Sequence, residues 1–314
     1  MSGKSRALQP NPGCLAKQRA VLLRKSFTRN HSAVVVTLEC KRVKQKASNP
    51  SRPGTALITG ASSGIGAVYA DRLARRGHDL ILVARNAGRL AALSARLRAE
   101  IGISVEALPA DLTVTEDLRT VENRLHEDGA ITTLINCAGL GPGATTLASE
   151  PAQLDRMIAL NVTALNRLSL AAATAFLARD GGAVVNIASV VALIPERFNG
   201  TYAATKAFVL ALTQSLAAET VGRGLRWQAV MPGLTRSEIF ERAGFDTTQL
   251  DPEMMMEAGE MVDAALAGLD AGELVTIPSL PDPARWNALT AARLALAPDL
   301  SHRSAAPRFH IAAA

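Results

Sequence analysis

Thr59-Gly60-Ala61-Ser62-Ser63-Gly64-Ile65-Gly66 is the stretch that decides the fold. A short apolar run, residues 56–59, leads straight into it, and a helix-like stretch reaching Arg76 leaves it. A glycine turn between strand and helix aims backbone N–H groups and the positive helix end at a pyrophosphate, and glycine lets the backbone come close. Three glycines alone can simply make a tight turn. At the first strand-to-helix junction of an alternating chain they predict a dinucleotide cradle, with Gly60, Ser62, Ser63, Gly64, Ile65 and Gly66 as its contacts.

The alternation runs on without a break. Apolar runs at 80–84, 105–108, 131–135, 183–187, 225–230 and 274–277 are separated by helical stretches at 89–98, around Val121 and Leu125, at 151–177 and at 201–221. Strands alternating with helices imply βαβ units and a parallel sheet covered on both faces. Seven strands with right-handed crossovers predict an α/β, doubly wound (Rossmann) sheet in a single catalytic domain, residues 54–280. Residues 281–314 read as a C-terminal tail.

Residues 1–53 read as a basic, disordered leader. The net charge of the 314-residue chain is +6, but residues 1–52 hold 12 Lys/Arg against one acid, Glu39, or +11. The remainder holds 22 basic and 27 acidic residues, or −5. A mildly acidic body with few aromatics argues against nucleic-acid binding. An Arg-rich, acid-poor leader resembles an organellar transit peptide, yet Arg19, Arg24 and Lys25 fall among the apolar residues of 15–27 and spoil an amphipathic face. A dispensable extension is the preferred reading. No apolar run is long enough for a membrane span. Without a secretory signal the cytoplasm is the expected compartment, with an organelle left open by the leader. Cys14, Cys40 and Cys137 are too scattered for a redox or metal pair, so free thiols and no metal are expected.

The second strand selects the cofactor. An NAD-selective site places an acid about 20 residues beyond the glycines, on the ribose 2′-hydroxyl. Here the strand ends in Ala84-Arg85-Asn86. A guanidinium there grips a 2′-phosphate through charge-assisted hydrogen bonds, so NADP(H) is expected, with NAD(H) as the alternative.

Two more strand ends carry polar residues. Residues 131–135 run into Asn136-Cys137-Ala138-Gly139, and 183–187 into Ala188-Ser189. In an open α/β sheet the ligand crevice lies at the carboxyl ends of the strands. Beyond Ser189, Tyr202 and Lys206 sit four apart on one helix face. Hydride transfer to a carbonyl leaves an alkoxide that a phenol can protonate. A phenol working near pH 7 must titrate about 3 below its ordinary 10, or about 4 kcal/mol. A lysine charge about 4 Å away supplies that much at an effective dielectric of about 20. Tyr69, the other tyrosine, reads as a packing residue.

One competing motif is present. Gly60-Ala61-Ser62-Ser63-Gly64 also matches the G-x-S-x-G nucleophile elbow. That elbow follows a strand in mid-sheet, whereas only the leader precedes this one. His302 and His310 lie in a Pro/Ala/Ser-rich tail, a poor seat for a general base. A serine hydrolase is the distant alternative.

Together these residues resemble the short-chain dehydrogenase/reductase family. The resemblance covers 54–280 and rests on TGASSGIG at 59–66, NCAG at 136–139, Asn161, Ser189, YAATK at 202–206 and Pro232-Gly233. It implies NAD(P)(H)-dependent hydride transfer between nicotinamide and a carbonyl or secondary alcohol. Residue by residue, it makes Tyr202 the proton donor or acceptor, Lys206 its electrostatic partner and ribose ligand, and Ser189 the binder of the substrate oxygen. Asn161 holds a water in a proton relay through Lys206. Asp111 and Leu112 lie beside the adenine, Asn136 supports the central strands, and Ala138 and Gly139 border the cofactor. Pro232, Gly233 and Thr235 bind the nicotinamide carboxamide, and Arg85 marks the NADP-preferring branch. Cys137 stands where the family commonly has a second asparagine, and the leader is outside its pattern. A cofactor sensor without turnover is the remaining alternative.

Residues 234–256, with Ile239, Phe240, Phe245 and three consecutive methionines, are expected to form a lid over the substrate. Leu140, Leu193, Ile194 and Phe198 would line the other walls, with Arg197 or Arg236 as polar handles. An apolar or aromatic carbonyl substrate follows. Alanine-rich helices around Asn161 and Tyr202, together with the resemblance, imply a homodimer or homotetramer.

Overall fold

In a computed structural model the structure describes residues 53–179, 181–238 and 251–310. The chain lays down β1 (Thr55–Thr59), α1 (Gly64–Arg75), β2 (Asp79–Ala84), α2 (Ala87–Ile101), β3 (Val105–Pro109), α3 (Thr115–Glu127) and β4 (Ile131–Asn136). There follow α4 (Pro151–Ile158), α5 (Leu165–Leu177), β5 (Gly182–Ile187), α6 (Gly200–Glu219) and β6 (Leu225–Val230). Two short strands, β7 (Thr235–Arg236) and β8 (Met256–Glu257), precede α7 (Ala258–Asp270), β9 (Val275–Thr276) and α8 (Pro283–Ala295).

Seven strands pair in parallel in the order β3-β2-β1-β4-β5-β6-β9, the doubly wound arrangement expected from the alternation. The strands are apolar throughout because both faces are covered. Ala56, Ile58, Leu80 and Leu82 join Tyr69, Leu73 and Leu97 on the face under α1, α2 and α7. Leu57, Ile81, Leu134 and Val184 join Leu118, Val121, Leu168 and Phe176 on the face under α3 and α5. Tyr69 is fully buried, as a packing residue should be. Asn86 caps α2 by accepting from Arg89 N at 2.9 Å, and Gly102 closes it at φ +75, where a side chain would be strained.

Three features depart from the sequence expectation or lie beyond it. The single helix expected over 151–177 is interrupted: Ala159–Ala164 winds as a π-helix between α4 and α5 and carries Asn161. Helix α7 was not anticipated, although Met261, Val262, Ala265, Leu266 and Leu269 repeat at helical spacing and all are buried. The C-terminal tail contains α8, which buries none of its residues. Among the described residues, no helix is long and apolar enough to cross a membrane.

Candidate active site

The strand order reverses at β1, with β2 on one side and β4 on the other, and a cleft of about 730 Å³ opens there at the carboxyl ends of the strands. Its floor is the glycine turn. Gly60 sits at φ +69, and a Cβ on it would lie 2.9 Å from the backbone of Ala138. Gly66 leaves still less room, since its Cβ would strike the Gly60 carbonyl. Glycine is therefore required for β1, the turn and the end of β4 to meet while leaving the cleft open. Thr59 fixes that junction: its hydroxyl donates to Ile135 O at 3.4 Å and accepts from Cys137 N and Ala138 N at 3.0 and 3.1 Å.

The residues expected to hold the nucleotide gather in this cleft. Gly60, Ser62, Ser63, Gly64, Ile65 and Gly66 line one wall, and Ala138 and Gly139 the other. Asp111 and Leu112 lie beyond the end of β3, and Arg85 after β2. Burial alone would raise the Asp111 carboxyl, but Thr113 N and Oγ1 donate to it at 3.0 and 2.7 Å and hold it below the usual carboxylate range. Asn136 is placed beneath the cleft rather than in it. Its amide donates to Asn186 Oδ1 at 2.9 Å and Ser169 Oγ at 3.1 Å, tying β4 to β5 and α5. The cleft also takes in Asn86, Arg89, Arg156, Ser237 and Glu238, which sequence reasoning missed.

Past the inner end of the cleft lie the reacting groups. Lys206 Nζ stands 5.7 Å from the centroid of the Tyr202 ring, so the i, i+4 pair shares a face as expected. Lys206 is 7 % exposed, and its ammonium donates to Ile187 O at 2.8 Å. Burial pulls it down to about 8, against a small opposing pull from the neighbouring Cys137. Burial likewise pushes the Cys137 thiol up to about 12. Ser189, at the end of β5, accepts from Val191 N and donates to Pro232 O, both at 3.3 Å. That bond brings Pro232 and Gly233 against the site, and Thr235 Oγ1 in turn donates to Gly233 O at 3.2 Å.

The expectation of a lowered phenol is corrected. Burial pushes Tyr202 up to about 12, and a hydrogen bond with Ser189 only partly offsets this. The Lys206 ammonium is itself desolvated and donates to the Ile187 carbonyl. Asn161 is 1 % exposed and its side chain is fully engaged. Oδ1 accepts from Leu140 N at 2.8 Å, while Nδ2 donates to Leu140 O at 2.9 Å and Thr205 Oγ1 at 3.2 Å.

Of the expected substrate walls, Leu140 reaches the cleft, Leu193 packs beside β5 and α6, and Ile194 and Phe198 remain exposed. Ile239, Phe240 and Phe245 lie outside the described residues. Arg236 is paired with Glu257 at 2.6 Å. Met254 is exposed, and Met256 packs against the core beneath α7.

Comparison with known proteins bears on this geometry. Residues 54–247 match the family model described as short chain dehydrogenase. A solved short-chain dehydrogenase from Sphingobium yanoikuyae in complex with NADPH is 53% identical, covering 81% of this chain and 99% of its own, with TM-score 0.79. The bulky-bulky ketone specific alcohol dehydrogenase from Comamonas testosteroni is 46% identical over 82% of this chain and 99% of its own, with TM-score 0.76. Galactitol 2-dehydrogenase (L-tagatose-forming) from Cereibacter sphaeroides is 35% identical over 68% of this chain and 85% of its own.

Proposed function

Since the chain belongs to the short-chain dehydrogenase family, we propose that it is an NADP(H)-dependent oxidoreductase reducing apolar ketones, with Tyr202 as the proton donor. The observation that carries this reading is the Tyr202 phenol beside Ser189 and one turn from Lys206, past the inner end of a glycine-floored cleft. The residues present fit the cofactor: glycines at 60 and 66 let the turn close against the end of β4 and leave the cleft open, and Arg85 lines that cleft as a candidate ligand for a 2′-phosphate. The NADPH complex of the Sphingobium relative supports the choice of nucleotide. Bound there, the nicotinamide supplies or accepts the hydride.

The chain's own residues do the rest. Ser189 and Tyr202 hydrogen-bond the carbonyl oxygen, and Tyr202 gives it a proton as negative charge develops. A phenol held near 12 is fully protonated at neutral pH, which suits reduction. Alcohol oxidation needs the phenolate and therefore gains as pH rises. Lys206 is assigned the ribose and the link from Tyr202 to the proton relay. The Asn161 side chain is committed to Leu140 and Thr205, and the relay water is assigned to this residue on the family resemblance. Pro232, Gly233 and Thr235 support the carboxamide end, and Asp111 and Leu112 the adenine end.

Exposed Ile194 and Phe198 on the segment after Ser189 favour an apolar substrate, as does likeness to the Comamonas ketone enzyme. The galactitol enzyme keeps a polyol as the second reading. The test is NADPH oxidation against aryl ketones and ketoses, with wild type and Tyr202→Phe. We expect turnover on the aryl ketones, lowered at least about 10²-fold in the variant, with NADPH binding retained. Equal turnover of ketoses and aryl ketones would sink the substrate assignment. Tight NADPH binding with no turnover on any carbonyl would instead leave a sensor.

We propose further that the protein assembles as a homodimer or homotetramer through its α4–π–α6 face. Ile158, Val162, Ala204 and Phe208 line a shallow apolar groove there.

A further inference from the structure

Two arginines and a carboxylate share the mouth of the cleft. Arg85 follows β2 directly, and Asn86, by capping α2, fixes the backbone of Arg89. The Arg89 guanidinium reaches across the mouth: Nη1 donates to both carboxylate oxygens of Glu238, at 3.0 and 2.7 Å. Glu238 lies just beyond β7, 149 positions away in sequence. Arg85, Arg89 and Glu238 line the same cleft as Ser62, Ser63 and Ser237. The other acid of the cleft, Asp111, is held by Thr113. Asp111 also feels the Arg85 charge, but Glu238 is the acid of the cleft that is ion-paired with Arg89.

A phosphate there has two uses for Arg89: a second guanidinium neutralises its second charge, and guanidinium–phosphate bonds are stronger than those of an exposed ion pair. Arg89 and Glu238 are 48% and 36% exposed, so exchanging one partner for another costs little. A carboxylate beside the phosphate is repelled by it and competes for the same donor. A ribose carrying only a 2′-hydroxyl asks nothing of Arg89 and leaves the pair intact.

We propose that Arg89 is a second 2′-phosphate ligand beside Arg85, and that Glu238 sets the nucleotide preference by competing with that phosphate for Arg89. This rests on the reading of the cleft as an NADP(H) site. The arrangement makes Glu238 a brake on NADP(H) selectivity, with no effect on the chemistry at Tyr202.

Fluorescence titration of NADPH and NADH on the full chain, compared among wild type, Glu238→Gln, Arg89→Ala and the double variant, tests it. Glu238→Gln should tighten NADPH on the order of threefold and leave NADH unchanged. Arg89→Ala should weaken NADPH on the order of tenfold, again with NADH unchanged, and should abolish the gain from Glu238→Gln. An unchanged or reduced NADPH-to-NADH preference in Glu238→Gln, with wild type still preferring NADPH, overturns the proposal alone. Persistence of the Glu238→Gln gain without Arg89 overturns it too, because Glu238 would then act by direct repulsion. Wild type binding NADH as tightly as NADPH would strike the cofactor reading beneath it.

Discussion

Lys206 carries the largest local conflict between stability and function. Its ammonium is buried, with a native value of about 8 against 10.5 for the free group. Below pH 8 the native state must hold a charge that the unfolded chain keeps in water. Between about 8 and 10.5 the native amine is neutral while the unfolded one still binds its proton. Stability therefore rises with pH across that window. The gap corresponds to about 3 kcal/mol of destabilisation at neutral pH, and the bond to Ile187 O returns about 1 kcal/mol of it. Lys206→Met is expected to stabilise the fold by about 1–2 kcal/mol at pH 7 while losing turnover. Urea denaturation at pH 7 and 9.5 checks both parts, since the variant should also lack the wild-type rise over that interval. A variant less stable than wild type at pH 7 would mean that the Ile187 bond outweighs the cost of the buried charge.

Between elements, the junction of β1 with the end of β4 governs the cleft. Thr59 is 1 % exposed, and its hydroxyl receives two backbone N–H groups from Cys137 and Ala138. Valine keeps the shape and strands both donors. Thr59→Val is expected to cost about 2–4 kcal/mol and to weaken nucleotide binding, because the 137–139 wall loses its anchor. Denaturation combined with NADPH titration tests this; unchanged values in both would remove Thr59 from the cleft's support. The strands were legible because a sheet covered on both faces demands uninterrupted apolar runs, and glycines bound them. Tyr202, Ser189 and the glycine turn were legible because their chemistry is written in local spacing. The π-winding around Asn161 was not, since it shifts hydrogen bonds by one residue without altering the apolar period. The Arg89–Glu238 pair was hidden for another reason. Each residue alone reads as a solvated charge, and only the crossover connections bring them together. Helix α7 lay outside the sequence expectation, whose lid ended at residue 256, although its own buried positions repeat at helical spacing.

For the whole molecule, the sheet order places the nucleotide cleft on one side of the α4–π–α6 layer and a solvent-facing apolar groove on another. Net charge, −5 for the body and +11 for the first 52 residues, does not by itself single out a face of the domain. Apolar area does. Ile158 is 42% exposed at the groove's rim, and Leu147, on the loop leading to α4, is fully exposed. Apolar side chains clustered in this way mark a protein–protein contact more often than a bare surface. The same layer carries Asn161 and Tyr202, so pairing two copies through it would also brace the helix that holds the proton donor. A charge placed in the groove should break that pairing without touching the opposite, site-facing side of α6. Wild type is expected to run as a dimer or tetramer at micromolar concentration by light scattering, and Ala204→Arg, at an exposed groove position, to shift it to monomer. A monomeric wild type would refute the assembly. Retention of the wild-type mass by Ala204→Arg would move the contact to another face.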